Sequence, residues 1–315
     1  MVILSQVHGI VDNRLYRASQ NHRYMAIHTV TNPTSTAGYQ HRFDLKWLPG
    51  MRKDFSDVLV MLPDGTKCPH WVETSSSVSG YSTVVWSKNP LANAGVFLIF
   101  YGRNGGYNLS NGKNTFDLFY DFDGVSLDTG EWTSVAGTPA ISGGIINFHS
   151  GSNAVAIKSN TTFGTNTAIM AYCSPYYGNA NAGTGTGILQ YGTGTDTTAL
   201  IRFQNGEAFF ATQNFNDAGS ANTLNFPVTR QSGYKKYEII RNSTTSIIFN
   251  INDVIQANHT TNIPTIARSV LFYNDRDNHD YLCDWVAARK YTATEPTTVL
   301  SWYGKNPYYD LRRYT

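Results

Sequence analysis

The 315-residue sequence predicts an all-β protein built from two β-sandwich domains, and three observations support this fold class. Proline and glycine interrupt the chain often, and the segments between them are roughly four to eight residues long and rich in β-branched and aromatic residues. No segment keeps the apolar periodicity of a helix over several turns, which argues against an α-rich or βαβ fold. The chain also contains 20 tyrosines, and aromatic residues favour strands. Short strands with frequent turns are typical of sandwiches and barrels.

The predicted strands follow in order along the chain. The first third contains Asp57–Leu62, Tyr81–Trp86 and Val96–Tyr101. The remainder contains Ala168–Cys173, Ala199–Phe203, Tyr237–Arg241, Ser246–Ile251, Ser269–Tyr273 and Leu282–Ala288.

The turns between these strands are predicted from Gly, Asn, Asp and Pro. Pro63–Gly65 has the composition of a hairpin turn, and Gly102 follows a buried strand at a point where the backbone must turn. Ser110–Gly112 is expected to supply residues with positive φ, and Asn252–Asp253 is expected to form a hairpin turn. The Gly/Thr/Asn-rich tract 178–198 is expected to be one long loop.

A change of composition near residues 117–124 marks the predicted domain boundary. We expect an N-terminal sandwich with an extension over residues 1–118, a second sandwich over residues 119–303, and a tail over residues 304–315. The tail is aromatic and basic, and the sequence leaves open whether it docks on a partner or frays.

Charge and cysteine content exclude several classes of function. The formal net charge is +2 and charged residues are 15% of the chain, so we expect no nucleic-acid partner. The longest apolar run, Gly95–Tyr101, is too short to cross a bilayer, and the first nine residues lack the basic stretch of a secretory signal. Cys68, Cys173 and Cys283 have no metal or disulfide spacing and are expected to be buried free thiols.

Several motifs of the first domain resemble an uncharacterised β-sandwich domain, of unknown function, found in bacterial, archaeal and viral surface proteins. They are Asp54–Gly65, Trp71–Glu73, Val85–Pro90, Ile99–Gly102 and Ser110–Gly112. In such proteins a laminin-G-like or concanavalin A-like lectin domain usually follows. Residues 119–300 are similar to that jelly roll, with Tyr120–Gly124, Leu127–Trp132 and Ile141–Phe148 as opening segments, Tyr281–Tyr291 as the closing strand and Tyr237–Ile255 as a laminin-G-type hairpin.

The concanavalin A-like resemblance implies one structural calcium ion. Matching the motifs assigns it to the main-chain carbonyls of Asp121 and Gly144 and the carboxylate of Asp284, with water completing the shell. The alternative is that Asp284 only hydrogen-bonds the opening strand, and the sequence favours neither.

No catalytic residues are assigned from the sequence. Hydrolases of the resembled family carry an E-x-D-x-x-E strand, and the five glutamates of this chain are not paired with another acid at that spacing. The eight histidines are scattered, and no nucleophile, zinc or phosphate-loop motif is present. The polar cluster Asp275–Asp280 invites a metal or sugar site, although a solvated loop between two strands is the favoured interpretation.

Sugar sites combine aromatic rings with planar polar groups, and residues around the 178–198 tract offer both. The candidate ligand-binding residues are Tyr176, Tyr177, Asn179, Gln190 and Tyr191. The sequence therefore predicts a non-enzymatic recognition or adhesion protein that binds a cell-surface glycan or protein, at a virion or cell surface. The alternatives are a purely structural subunit with homo-oligomer or virion neighbours and, ranked below both, a divergent polysaccharide hydrolase.

Overall fold

A computed structural model of the chain describes residues 21–73, 82–103, 105, 108–149, 154–175, 186–192, 201–205, 210–226, 233–274 and 280–307. The chain divides into two compact units. Unit 1 comprises Met1–Phe116 and Thr294–Thr315, and unit 2 comprises Asp117–Ala293. Within the described residues no helix is long and apolar enough to cross a membrane.

Unit 1 contains seven of the described strands and a one-turn helix. The strands are β1 (His22–Thr31), β2 (Tyr39–Lys46), β3 (Leu59–Met61), β4 (His70–Val72), β5 (Ser82–Asn89), β6 (Val96–Arg103) and, from the end of the chain, β22 (Thr297–Lys305), and the helix is α1 (Gly112–Thr115). They form two antiparallel sheets, with orders β22-β1-β6-β3 and β2-β5-β4.

The core of unit 1 follows from the alternation of side chains along these strands. Phe43 and Val85 contribute to it from one sheet, and Ala26, Phe97 and Ile99 contribute from the other. All five are fully buried. Alternate residues of a strand point to opposite faces, so each sheet presents one apolar face to the core.

Gly102 is required where β6 passes a tyrosine. Its φ is +75°, and a Cβ atom built there would lie 2.6 Å from the ring of Tyr24. The Gly102 amide donates a 2.7 Å hydrogen bond to the buried carboxylate of Asp57. The positive φ fits a glycine at this position, but the predicted end of the strand is wrong, because β6 continues in register with β1 to Arg103.

Unit 2 contains the other fifteen described strands. They are β7 (Leu118–Tyr120), β8 (Trp132–Ala136), β9 (Ala140–Ser142), β10 (Ile145–Asn147), β11 (Val155–Phe163), β12 (Thr167–Pro175), β13 (Thr186–Gly192), β14 (Ile201–Asn205), β15 (Phe210–Phe215), β16 (Ala221–Phe226), β17 (Lys235–Ser243), β18 (Ser246–Ile251), β19 (Val254–His259), β20 (Arg268–Asn274) and β21 (Tyr281–Lys290).

These strands form two antiparallel sheets around one hydrophobic core, which is the architecture of a concanavalin A-like jelly roll. One sheet has the order β19-β18-β17-β12-β21-β10-β9, with β7 also paired to β21. The other has the order β16-β15-β14-β13-β20-β11-β8. Trp132 and Tyr191 come from the second sheet and Tyr237 from the first, and all three are buried in the shared core.

The all-β fold class is confirmed, and each of the nine predicted strands overlaps an observed one. The Pro63–Gly65 turn is confirmed because the Gly65 amide bonds to the Leu62 carbonyl at 3.0 Å with a positive φ. Asn252 and Asp253 also have positive φ and join β18 to β19. The three cysteines are buried and free, as predicted.

Three further local predictions are wrong. Residues 297–305 were expected to end the second domain and begin a tail, but they form β22, which pairs with β1 in unit 1. The predicted loop 178–198 contains β13, whose backbone groups pair with β14 and β20. Asn111 has φ −148° and caps α1 instead of adopting positive φ, because its side chain accepts the Asn114 amide hydrogen.

Candidate functional site

A row of side chains crosses the sheet that contains β13, on the face opposite the core. Strand register places these residues directly opposite one another on neighbouring strands. We call them the cross-strand row: Thr223, Gln213, Arg202, Gln190, Leu271, Lys158 and Thr133. Six strand spacings of about 4.8 Å make this row roughly 29 Å long.

Hydrogen bonds link one half of the cross-strand row. The guanidinium of Arg202 donates two bonds, of 3.0 and 2.8 Å, to Oε1 of Gln213. The amide of Gln213 then donates a 2.8 Å bond to Oγ1 of Thr223. These bonds hold the planar guanidinium and amide groups in place, and such groups bind sugar hydroxyls.

Gln190 lies at the middle of this row and its side chain is buried, with 1% exposed. Its Nε2 atom has no hydrogen-bond partner in the described part of the chain. An unpartnered buried amide costs about 1–3 kcal/mol, so this group calls for an acceptor. Leu271, which pairs with Gln190, is also fully buried, and exposure increases from these two residues towards Thr223 and Thr133 at the two ends of the row.

The neighbouring residue, Tyr191, points the other way. It is fully buried in the core, with its ring 5.5 Å from the guanidinium carbon of Arg241. The expectation that Tyr191 offers an exposed ring is therefore wrong, because successive residues of β13 face opposite sides of the sheet. Tyr176, Tyr177 and Asn179 lie outside the described residues.

A second group of polar side chains lies where β10 ends and β21 begins. We call Asn147, His149 and Asp280 the polar triad. Oδ1 of Asp280 is 2.8 Å from Nδ1 of His149 and accepts a 3.1 Å hydrogen bond from Nδ2 of Asn147. The side chains of His149 and Asp280 are 53% and 40% exposed, so both groups are open to solvent.

Aromatic stacking holds the backbone next to the polar triad. The ring of Phe148 stacks on Tyr281 at 5.3 Å and on Phe272 at 5.5 Å. Nδ2 of Asn274 donates a 2.6 Å bond to the Phe148 carbonyl. Asn274 is three residues beyond Leu271 of the cross-strand row, a distance of about 10 Å along a strand.

The polar triad places a carboxylate against an imidazole, an arrangement that can support proton transfer. A carboxylate that is bonded to one imidazole nitrogen orients the ring, and the ring can then exchange a proton through its other nitrogen. The Asn147 bond fixes the carboxylate in turn. Sequence reasoning had interpreted Asp280 as part of a solvated loop and had not singled out His149, since these residues are distant in the chain.

Three aspartates gather at the residues predicted to bind calcium. A Cβ atom on Gly144 would lie 3.1 Å from Oδ1 of Asp123 and 3.8 Å from the Asp121 carbonyl oxygen. Burial raises the pKa of Asp284, and the negative charges of Asp123 and Asp121 raise it further. The predicted residues therefore lie together, and Asp123 joins them as a carboxylate that the sequence prediction had omitted.

The chemistry of this aspartate cluster suits a hard divalent cation. Its donors are carboxylate and carbonyl oxygens, which calcium prefers, and no Lys, Arg or His pairs with these three aspartates among the described residues. Those residues hold no group of three or more His, Cys, Asp or Glu side chains in metal-binding geometry, so carbonyls and water would have to complete a shell.

One family model and several solved structures are similar to parts of the chain. Residues 54–135 match a family described as Domain of unknown function (DUF2341). This segment begins in unit 1 and extends into unit 2, through β7 and into β8. No curated protein matches the chain.

The solved structures cover a little over half of this chain. One comes from a study of endo-acting O-glycanases with which human gut microbiota initiate mucin breakdown, at 10% identity, covering 56% of this chain and 99% of that one with a TM-score of 0.46. A lichenase from a mouse hindgut metagenome has 11% identity, with coverages of 55% and 98% and a TM-score of 0.44. A Bacillus licheniformis β-glucanase has 16% identity, with coverages of 55% and 97% and a TM-score of 0.43.

These structures correct two predictions made from the sequence. They are glycoside hydrolases, so the prediction of a non-enzymatic recognition, adhesion or structural protein is wrong, as is the prediction that the chain is not an enzyme. Those predictions depended on the missing E-x-D-x-x-E strand. Glycoside hydrolysis is also performed with other arrangements, including ones that lack the usual carboxylate pair, so the missing pattern does not exclude catalysis.

Proposed function

We propose that unit 2 is a hydrolase domain that acts on a polysaccharide. The observation that carries this proposal is the cross-strand row, which presents polar groups at six of its seven positions across the sheet. A row about 29 Å long has room for several sugar rings. Hydroxyl groups of the chain would receive hydrogen bonds from Arg202 and would donate to Oγ1 of the threonines at the two exposed ends of the row.

The polar triad supplies the acid–base chemistry in this proposal. Cleavage of a glycosidic bond needs a proton on the leaving oxygen and a group that activates water or attacks carbon. Protonated His149 would donate a proton to the leaving oxygen as the glycosidic bond breaks, and the water that adds to the sugar carbon would return a proton to the ring. Asp280 would orient the ring and stabilise its positive charge. The Phe148 carbonyl beside the triad accepts a hydrogen bond from Asn274 at the end of β20. A cell-surface or extracellular location belongs to the same proposal, since such glycans are the proposed substrates.

A substrate panel tests this proposal with the full chain. Lichenan, a β-1,3-glucan and mucin glycans are incubated with the protein, and new reducing ends are measured by mass spectrometry in ¹⁸O-labelled water. We expect one labelled oxygen in each new reducing end of one substrate, and at least a hundredfold loss in Asp280→Asn and His149→Gln. Absence of product from every substrate would overturn the proposal, and so would activity in both variants equal to that of the parent.

The control is Asp217→Asn, which replaces another carboxylate of unit 2. Asp217 bonds to Thr265 and to Arg268 and has no contact with the triad. We expect this variant to keep full activity. Gln213→Ala, which removes the partner of Arg202 in the row, is expected to raise KM by about tenfold while kcat changes little, since it weakens binding away from the reacting bond.

We propose in addition that the aspartate cluster holds one calcium ion with a structural role. The Asp121 and Gly144 carbonyls and the Asp284 carboxylate would bind it, and Asp123 is added as a carboxylate ligand. Without the ion, the raised pKa of Asp284 means that the folded state holds its proton more strongly than the unfolded state does. The contribution of Asp284 to stability therefore falls as pH rises through its folded pKa. A bound cation would reduce the repulsion of Asp284 by Asp121 and Asp123.

Thermal unfolding in EGTA and then in excess CaCl₂ tests the ion. Calcium at about 100 times its Kd should stabilise the parent by about 2.7 kcal/mol. Asp284→Asn should lose this shift, whereas Asp128→Asn, a substitution of an aspartate outside the cluster, should keep it. A parent that unfolds at the same temperature in both buffers would remove the calcium proposal.

A further inference from the structure

Unit 1 contains a cleft that the proposed hydrolysis does not use. Its volume is about 380 Å³, within the range of small-molecule sites. His22 at the start of β1 and Arg103 at the end of β6 are paired in register on one wall. Lys67 comes from the segment that leads into β4, His70 is the first residue of β4, and Asn114 comes from α1.

The charge of this cleft is positive. Lys67 and Arg103 line it, and no Asp or Glu is among the described residues that do so. Lys67 is exposed and has no ion-pair partner in the described part of the chain. The two cations both act on His22, whose pKa is lowered to about 4 by burial first and then by Arg103 and Lys67. The electrostatic potentials of these two cations therefore overlap inside the cleft, where a bound anion would reduce the repulsion between them.

His22 adds a second and independent observation. Its side chain is 2% exposed, and neither ring nitrogen has a hydrogen-bond partner among the described residues. A neutral imidazole has one N–H donor and one acceptor, and leaving such groups buried and unpaired costs about 1–3 kcal/mol. His70, on the same cleft, differs because it forms hydrogen bonds with the backbone at Cys68 and Val58.

We propose that this cleft binds a small organic anion of monosaccharide size that carries a carboxylate or a sulfate group. The anionic oxygens contact Lys67 and Arg103, and His22 donates its ring N–H to one of them. Leu59 and Leu109 supply apolar surface for the uncharged part of the ligand. Mixed cationic, polar and apolar lining of this kind is typical of specific sites for small molecules.

Calorimetric titration of the full chain tests the proposal with named probes. Glucuronate and glucose 6-sulfate represent the two anionic groups, and glucose is the neutral probe of the same size. We expect at least one anion to bind with an affinity that falls as salt rises, and glucose to give no binding. Binding of glucose as strong as that of both anions, or no binding of either anion, would overturn the proposal.

Matched lysine variants locate the site. Lys67→Gln should weaken anion binding by about tenfold, the effect of one charged hydrogen bond of about 1.4 kcal/mol. Lys46→Gln removes an exposed lysine on β2 that does not line the cleft, and should bind like the parent. Equal loss in both variants would indicate only a general charge effect and would contradict the assigned site.

A histidine signal gives a direct readout of the contact. In ¹H–¹⁵N spectra of the imidazoles, saturating anion should move the His22 nitrogen resonances, assigned from His22→Phe, and leave those of the exposed His149 in place. An unmoved His22 signal would refute its role. Asp280→Asn should bind the anion normally, so the failure of this proposal and the failure of hydrolysis in unit 2 are distinguishable.

Discussion

Unit 1 is expected to lose most of its stability between pH 7.5 and pH 5, because four of its histidines are buried and neutral. His22, His28, His41 and His70 are at most 3% exposed. Burial lowers the pKa of each from 6.5 to about 4. The unfolded chain therefore binds more protons than the folded unit across the interval from about pH 6.5 to pH 4.

The sign and size of the effect follow from this difference. Stability rises with pH wherever the unfolded state binds more protons, so these histidines stabilise the fold fully above pH 6.5 and progressively less below it. At pH 5, each histidine whose pKa falls from 6.5 to about 4 on folding lowers the free energy of unfolding by about 2 kcal/mol. Four such groups cost about 8 kcal/mol, which is comparable to the whole stability of a typical domain.

Urea unfolding at the two pH values, with hydrogen exchange measured in peptides of β1, provides the assay. His28→Leu should reduce the loss between pH 7.5 and pH 5 by about 2 kcal/mol, since the imidazole packed edge-on against Phe43 can no longer titrate. Ile27→Val is the matched control, because it should cost about 0.5–1.5 kcal/mol at both pH values. The reasoning would be refuted if the free energy of unfolding of the parent fell by less than about 2 kcal/mol between pH 7.5 and pH 5. It would also be refuted if the stability of His28→Leu depended on pH as strongly as that of Ile27→Val.

Three further predictions concern packing, a buried ion pair and thiol reactivity. Gly102→Ala should destabilise unit 1 by more than about 2 kcal/mol in urea unfolding because of its positive φ and the nearby tyrosine ring, whereas Gly95→Ala, whose Cβ would meet no atom within 4 Å, should cost under about 1 kcal/mol. Glu238→Gln should lower the free energy of unfolding by about 3 kcal/mol, because it removes the carboxylate that accepts a 2.8 Å bond from the buried Arg289. Adding Arg289→Met should restore part of this loss, and no recovery in the double variant would contradict that account. The Cys68 thiol, whose pKa burial raises to about 12, should react with a disulfide reagent at pH 8 only after unfolding, and fast reaction in the folded protein would contradict its burial.

Local sequence patterns were sufficient for the strands and several turns. Ser246–Ile251 is rich in β-branched and apolar residues and is bounded by turn residues, and both the strand and its Asn252–Asp253 turn were predicted correctly. These features depend on contacts within a few residues. Asn111 shows the limit, because its side chain could serve either as a helix cap or at positive φ, and the choice depends on α1 packing beside β4 and β5.

The candidate site could be predicted only in fragments. Gln190 was predicted as a ligand-binding residue and lies in the cross-strand row, but its neighbour Tyr191 was grouped with it although the two face opposite sides of β13. A shift of one residue in strand register exchanges the two faces, and the sequence alone does not set the register of β13 against β14 and β20. The polar triad was missed for a related reason, since His149 and Asp280 are 131 residues apart.

The sequence by itself determined the all-β class, the predicted strands and the buried free cysteines, since period-two burial and turn chemistry are local properties. Only the tertiary structure decided that residues 297–305 return to pair with β1, that seven strands align one residue each into the cross-strand row, and that Asp280 meets His149. Pairing between distant strands depends on the packing of the whole core, because backbone hydrogen bonds are the same for every residue and only side-chain burial selects one register over another.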